Sequence, residues 1–309
     1  MRRYSYFFIV IITVTFFLFN SAVTLKGAAA GLILWFQTVI PTLLPFMILS
    51  SVLVKLKGEQ LLAGFLSPVT GPLLGLSSAG NYVLFIGLFC GYPLGAKTAA
   101  ELVKEKRLSA AEGQYLMNFC NNVSPAFTIS FVCTSLLNNK SIIPKALLLL
   151  YGVPVIVGIL TKHFYLTPHK NLIAETTVSP RNEHSAFIEI LDSAISDSAM
   201  TALKLGGYII MFSIFVSIAE ASALPGALKT LLLLMLEVTN GCKNSACSSF
   251  LISHSIVYPA LFSCATFGGI AGLFQTAGMI RETRLSMKHY ILFRLVCSVC
   301  VFILSLIIL

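Results

Sequence analysis

A chain of 309 residues that is 57% hydrophobic and only 11% charged, with a mean hydropathy of +0.89, carries too little polar surface to fold as a soluble domain. It reads as an all-α polytopic membrane protein. The net charge of +9 does not point to nucleic acid, because the lysines and arginines fall in short loops and tails beside apolar runs, where anionic lipid head groups lie.

In chain order, a basic head, Met1 to Arg3, precedes an apolar run from Tyr4 to Phe19. The pair resembles a signal peptide, but residues 20–26 offer no small-x-small cleavage site, so residues 1–27 read as an uncleaved transmembrane anchor. A first repeat is assigned to residues 28–162. It opens with a span from Ala28 to Val54, kinked by Pro41 and Pro45, and continues into Glu59 to Ser78, where Pro68, Gly71, Pro72 and Gly75 argue for an interfacial or half-inserted arm.

Asn81 to Cys90 as a helix reaches roughly 15 Å, half of the ~30 Å hydrocarbon layer. With the break Gly91-Tyr92-Pro93-Leu94-Gly95 and the following Ala96 to Arg107 it forms an expected re-entrant hairpin whose tip is Gly91 to Gly95. Gln114 to Leu137 is a span interrupted at Asn121-Asn122-Val123-Ser124-Pro125, and Ile142 to Leu160 is a full span. In lipid an unpaired backbone group is costly, so interrupted helices at membrane depth mark chain that lines a cavity or is buried in protein.

Residues 163–204 form a polar connecting loop with an amphipathic helix from Ser185 to Leu203. The second repeat, residues 205–309, holds a span from Leu205 to Ala219, an apolar arm from Leu228 to Val238, and a last span from Tyr290 to Leu309. Between them Phe250 to Gly278, broken around Phe267-Gly268-Gly269-Ile270-Ala271-Gly272, reads as the second re-entrant hairpin; His254 within it reads as a packed histidine.

An offset of 177 residues pairs Gly91 with Gly268, Gly95 with Gly272, Glu105 with Glu282, Arg107 with Arg284 and Cys120 with Cys297, and sets Lys104 against Arg281. Counting crossings places the two units in opposite senses, the inverted repeat of many secondary transporters. A cytoplasmic N-terminus then puts Lys104, Arg107 and Lys204 inside and Arg281, Arg284 and Lys288 outside, a weak positive-inside balance.

The expected solute site comprises Gly91, Tyr92, Gly95, Lys97, Thr98, Asn121, Asn122, Ser124, Asn240, Gln275 and Thr276. Lys97, just past the first break, adds its ammonium to the N-terminal N–H groups of the second half-helix and suits an anion; the alternative is that it pairs with Glu101, four residues on. Asn121, Asn122 and Ser124 either donate to a solute or satisfy backbone freed by Pro125. Glu101 and Glu237 are the ion-coupling candidates, with a Glu237 to Lys243 ion pair as the plainer reading of the latter. Six of the eight cysteines lie in apolar runs and read as packing groups; Cys297 and Cys300 share a helix face without a metal-binding cluster. No metal or cofactor is expected, and no Walker loop, G-x-S-x-G or H-E-x-x-H signature suggests an enzyme.

Gly91-Tyr92-Pro93-Leu94-Gly95-Ala96-Lys97 followed by Asn121-Asn122-Val123-Ser124-Pro125-Ala126-Phe127, with Glu237-Val238-Thr239-Asn240-Gly241-Cys242 in the second half, resembles the YlbJ family of sporulation integral membrane proteins. That family belongs to the nucleoside-recognition or Gate-domain group, similar to concentrative nucleoside transporters. The resemblance implies a bacterial membrane location during endospore formation and transport of a small anion, dipicolinate, from the mother cell toward the spore. Two alternatives stand beside it: a scaffold or regulatory subunit with sporulation membrane partners, and a nucleoside carrier. Membrane lipid is an expected partner, and a homo-oligomer is left open.

Overall fold

The computed structural model describes residues 2–56, 59–166, 187–247, 251–252 and 256–309, and these form helices joined by short turns and breaks, with no strand among them. The helices are α1 (Arg2–Phe19), α2 (Ser21–Lys55), α3 (Glu59–Leu74), α4 (Ser78–Cys90), α5 (Leu94–Lys104), α6 (Ala110–Cys120), α7 (Phe127–Leu136), α8 (Lys140–Tyr165), α9 (Phe187–Ala221), α10 (Gly226–Leu236), α11 (Val238–Cys247), α12 (Val257–Phe267), α13 (Gly269–Ile280) and α14 (Met287–Ile308). Among the described residues five stretches are long and apolar enough to cross a bilayer: α2, α8, α9, α12 with α13, and α14. His254 lies outside the described residues, as does most of the polar stretch before α9.

Proline shapes the spans. Helix α2 widens into π turns at Trp35–Val39 just before Pro41, and α8 does so at Leu148–Gly152 just before Pro154. A proline ring clashes with the carbonyl four residues back, and the wider turn relieves it. Glycine allows α2 and α9 to touch backbone to backbone. A Cβ on Gly27 would sit 2.7 Å from Ile214 Cα and one on Gly31 would sit 2.8 Å from Ile210 Cα. Trp35 Nε1 donates to Ala202 O at 2.9 Å and pins the pair.

The ends of the helices gather in two layers. At the first end Ser77 N donates to Glu112 Oε1 (2.7 Å), Lys55 pairs with Asp197 (2.8 Å), Lys104 pairs with Glu282 (2.5 Å) and Ser286 N donates to Gln114 Oε1. At the second end Lys145 Nζ donates to Ile308 O and Lys229 Nζ to Glu220 O.

Between these layers, α4 and α5 fold back on each other. A Cβ on Gly95 would meet Gly87 Cα at 3.0 Å, so the hairpin enters from the first end and its tip is residues 91–93. Helices α10 and α11 do the same from the second end, where a Cβ on Gly241 would lie 3.1 Å from Leu234 Cα, and their tip is Glu237. Each hairpin is followed by an interrupted span, α6 with α7 and then α12 with α13, and by a full span, α8 and then α14. Two units of the same order thus enter from opposite ends.

Several expectations are corrected here. The second re-entrant hairpin is α10 with α11, not the stretch around Gly268: α12 and α13 run on as the single stretch Val257–Ile280. The 177-residue offset therefore does not superpose the units. It matches α5 with α13, which leave the midplane side by side and finish at the same end, as the Lys104–Glu282 pair shows. Arg281 and Arg284, expected across the membrane from Lys104, share its end with it. The arm before the first hairpin is helical, α3, with a 94° bend into α4 at the positive-φ Gly75.

Helix α1 does not turn back before α2, because Asn20 N still bonds Phe16 O and Thr24 N bonds Asn20 O. The described part of the amphipathic helix expected to stop at Leu203 is continuous with the next span in the 35-residue α9, since no glycine or proline interrupts it before Gly206.

Candidate functional site

Each hairpin tip is seated in the break of the interrupted span that follows it. In the first unit Tyr92 N donates to Asn122 O at 2.6 Å, and a Cβ on Gly91, whose φ is +79°, would stand 2.6 Å from Ser124 N. In the second unit the break is Gly268-Gly269, with φ of +85° and +70°, and a Cβ on Gly269 would lie 3.1 Å from Val238 N. Only glycine takes these backbone conformations without strain and leaves room for the tip.

Three side chains, the half-buried Tyr92 and the buried Asn121 and Arg294, tie the two units together. The Tyr92 ring covers Gly268 and Gly272, 3.4 Å from where a Gly272 Cβ would be. Asn121 Nδ2 donates to Thr276 Oγ1 (3.1 Å) and to Tyr290 Oη (2.9 Å), while its Oδ1 accepts from Ala96 N (3.2 Å). The Arg294 guanidinium donates to Asn122 Oδ1 beside one break and to Thr266 O beside the other. Arg294 is 1% exposed, has no ion-pair partner among the described residues, and its Nε has no hydrogen-bond partner.

Around this crossing lies a cavity of about 380 Å³. Tyr92, Pro93 and Ser124 line it from the first unit, and Glu237, Val238, Gly268, Gly272 and Gln275 from the second. The starts of four helices meet there: α5 after Pro93, the segment leading into α7 after Ser124, α11 after Glu237 and α13 after Gly268. The positive ends of four peptide dipoles therefore face one space. Asn121 Oδ1 caps the first, Ser124 Oγ accepts from Phe127 N at 3.2 Å, and the Glu237 carboxylate accepts from Thr239 N and Asn240 N. No side chain caps α13.

The expected residues divide accordingly. Tyr92, Ser124, Gln275 and Glu237 line the cavity; Gly91, Gly95, Asn121, Asn122, Thr98 and Thr276 are buried behind it as its frame. Asn240 holds the Glu237 carboxylate through its Nδ2 at 3.0 Å. The Glu237–Lys243 ion pair is not formed: the carboxylate spends its lone pairs on the first turn of α11, and Lys243 lines the cavity separately. Lys97 is outside this cavity. It pairs with Glu101 at 3.6 Å and faces a second, more open cavity toward the first end.

The sequence reading passed over Arg294, Tyr290 and Thr266. The signal for the first was visible, a lone arginine inside the apolar run Tyr290 to Leu309, and an ionisable group within a span is a functional marker by default.

No family model matches the chain, and no solved structure matches it. The chain is 27% identical over 325 residues to the sporulation integral membrane protein YlbJ of Bacillus subtilis strain 168, a match that covers 92% of this chain and 79% of that protein. The glycine-framed tips and breaks described above thus sit in a membrane protein that is similar, over nearly its whole length, to the sporulation integral membrane protein YlbJ.

Proposed function

We propose that this protein carries a small anionic solute across the membrane, and that the solute is a pyridine dicarboxylate, dipicolinate, as the YlbJ resemblance implies. The observation that carries the reading is the convergence of four helix starts on one midplane cavity between hairpins that enter from opposite ends. Discontinuous helices whose N-termini face an anionic group near the bilayer centre are how secondary transporters hold such substrates. A volume of about 380 Å³ is at the small end of ligand pockets. The uncapped start of α13 and the Gln275 amide, which has no hydrogen-bond partner among the described residues, supply donors for a carboxylate. Glu237, also on the cavity wall, is the group placed to couple transport to a proton or cation.

The test is uptake of dipicolinate into proteoliposomes. Gln275→Leu removes a donor from the cavity wall without touching the frame, and it is expected to lower uptake about tenfold, the effect of one hydrogen bond to a charged group, with unchanged thermal stability. Absence of uptake and of dipicolinate binding by the intact protein would overturn the reading. Stabilisation by nucleosides alone would favour a nucleoside carrier, and a co-purifying partner without any solute binding would favour a scaffold.

A further inference from the structure

The second cavity, about 730 Å³, opens between α5, α9 and α13 at the end where Lys104 and Glu282 meet. Four cations and two carboxylates line it. Glu101 is taken by Lys97 at 3.6 Å and Glu282 by Lys104 at 2.5 Å. Lys204 and Arg281 are left, and among the described residues neither has a carboxylate within ion-pair distance.

Capping of helix ends explains part of this charge, since Lys104 and Arg281 stand where α5 and α13 finish and a cation there offsets the dipole. It does not explain Lys204, which lies in the middle of the 35-residue α9. From Lys204 to Ala221 the helix rises ~26 Å at 1.5 Å per residue, close to the ~30 Å hydrocarbon thickness. Lys204 therefore stands at the level of the lipid head groups. The Glu282 carboxyl is held below its usual range, first by its hydrogen bond to Lys104 and further by the fields of Lys204 and Arg281, so both cations act on the same small volume.

We infer that this vestibule is a second anion site, in which Lys204 and Arg281 hold an oxyanion, a phosphate or carboxylate group, at the membrane surface. Arginine offers a planar fork to two oxygens of such a group and lysine a point charge beside it. The site is distinct from the midplane cavity and stands whether or not that cavity carries solute. Its ligand chemistry is shared by a free oxyanion and by the phosphodiester of an anionic phospholipid.

The experiment compares the purified full chain with K204Q/R281Q in two arms. Inorganic phosphate is titrated against protein in phosphatidylcholine nanodiscs, with binding read by thermal shift at constant ionic strength. In the second arm phosphatidylglycerol replaces part of the phosphatidylcholine and no phosphate is added. The wild type is expected to be stabilised in at least one arm. The double variant should unfold normally without ligand yet bind at least about tenfold more weakly. Response to phosphate identifies a free oxyanion, and response to phosphatidylglycerol alone identifies a lipid. R281K separates the fork from the charge and is expected to fall between the two. Equal responses of wild type and double variant, or no response of the wild type in either arm, would overturn the inference.

Discussion

Arg294 concentrates the energetics of the site in one side chain. A guanidinium buried at this depth with no counter-ion among the described residues is costly, and it is tolerated because it donates to the Asn122 side-chain oxygen beside one break and to the Thr266 main-chain carbonyl beside the other. Removing it strands both acceptors and empties the space between the units. Arg294→Ala is therefore expected to destabilise the protein by about 2–4 kcal/mol, measured by denaturant or thermal unfolding in detergent. Arg294→Lys keeps the charge but lacks the fork that reaches two acceptors at once, so it should recover only part of the loss. A stability equal to wild type in Arg294→Ala would show that the two breaks are held together by something else.

At the scale of elements, the tip-in-break arrangement sets a sharp contrast among glycines. Gly91→Ala must place a Cβ 2.6 Å from Ser124 N at a φ of +79°, and Gly269→Ala must place one 3.1 Å from Val238 N at +70°. The backbone conformation alone costs roughly 1–2 kcal/mol, and the clash with main chain adds to it, so both variants should lose stability. Gly207→Ala, with open space around its Cβ within α9, should instead gain up to about 1 kcal/mol from helix propensity. A thermal series on the three variants checks the order. The first tip and its break were legible in the sequence because glycine, proline and asparagine cluster there inside apolar runs, a local signal. The second tip was not, because Glu237-Val238-Thr239-Asn240 contains no glycine or proline. Its turn is made by a carboxylate capping the next helix, which only the folded chain reveals. The glycine pair at 268–269 then attracted the hairpin reading, although it serves as the seat for a tip formed thirty residues earlier.

For the whole molecule, the sidedness of the loops decides orientation. The sequence showed the apolar runs, but their reading as crossings failed where α1 runs on into α2 and where Val257–Ile280, expected as a hairpin, is long and apolar enough to cross in one piece. Once Arg281 and Arg284 join Lys55, Lys104, Lys106, Arg107 and Lys204 at the first end, that end carries the larger share of short-loop cations, while Lys140, Lys145 and Lys229 mark the other. The positive-inside rule then predicts that the first end faces the cytoplasm and, since α1 runs on into α2 from the second end, that the N-terminus lies outside rather than inside as the sequence suggested. The prediction is read by cysteine labelling with a membrane-impermeant maleimide on right-side-out and inverted vesicles. Lys104→Cys and Glu282→Cys should be labelled together and only in inverted vesicles, and the two introduced together should crosslink. The native Cys247, exposed at the close of α11, should be labelled in right-side-out vesicles, giving an internal reference. Opposite sidedness of positions 104 and 282 would break the pairing of α5 with α13, and with it the arrangement in which hairpins from opposite faces meet at one cavity. Reversal of all three together would leave the fold intact and invert only its orientation in the membrane.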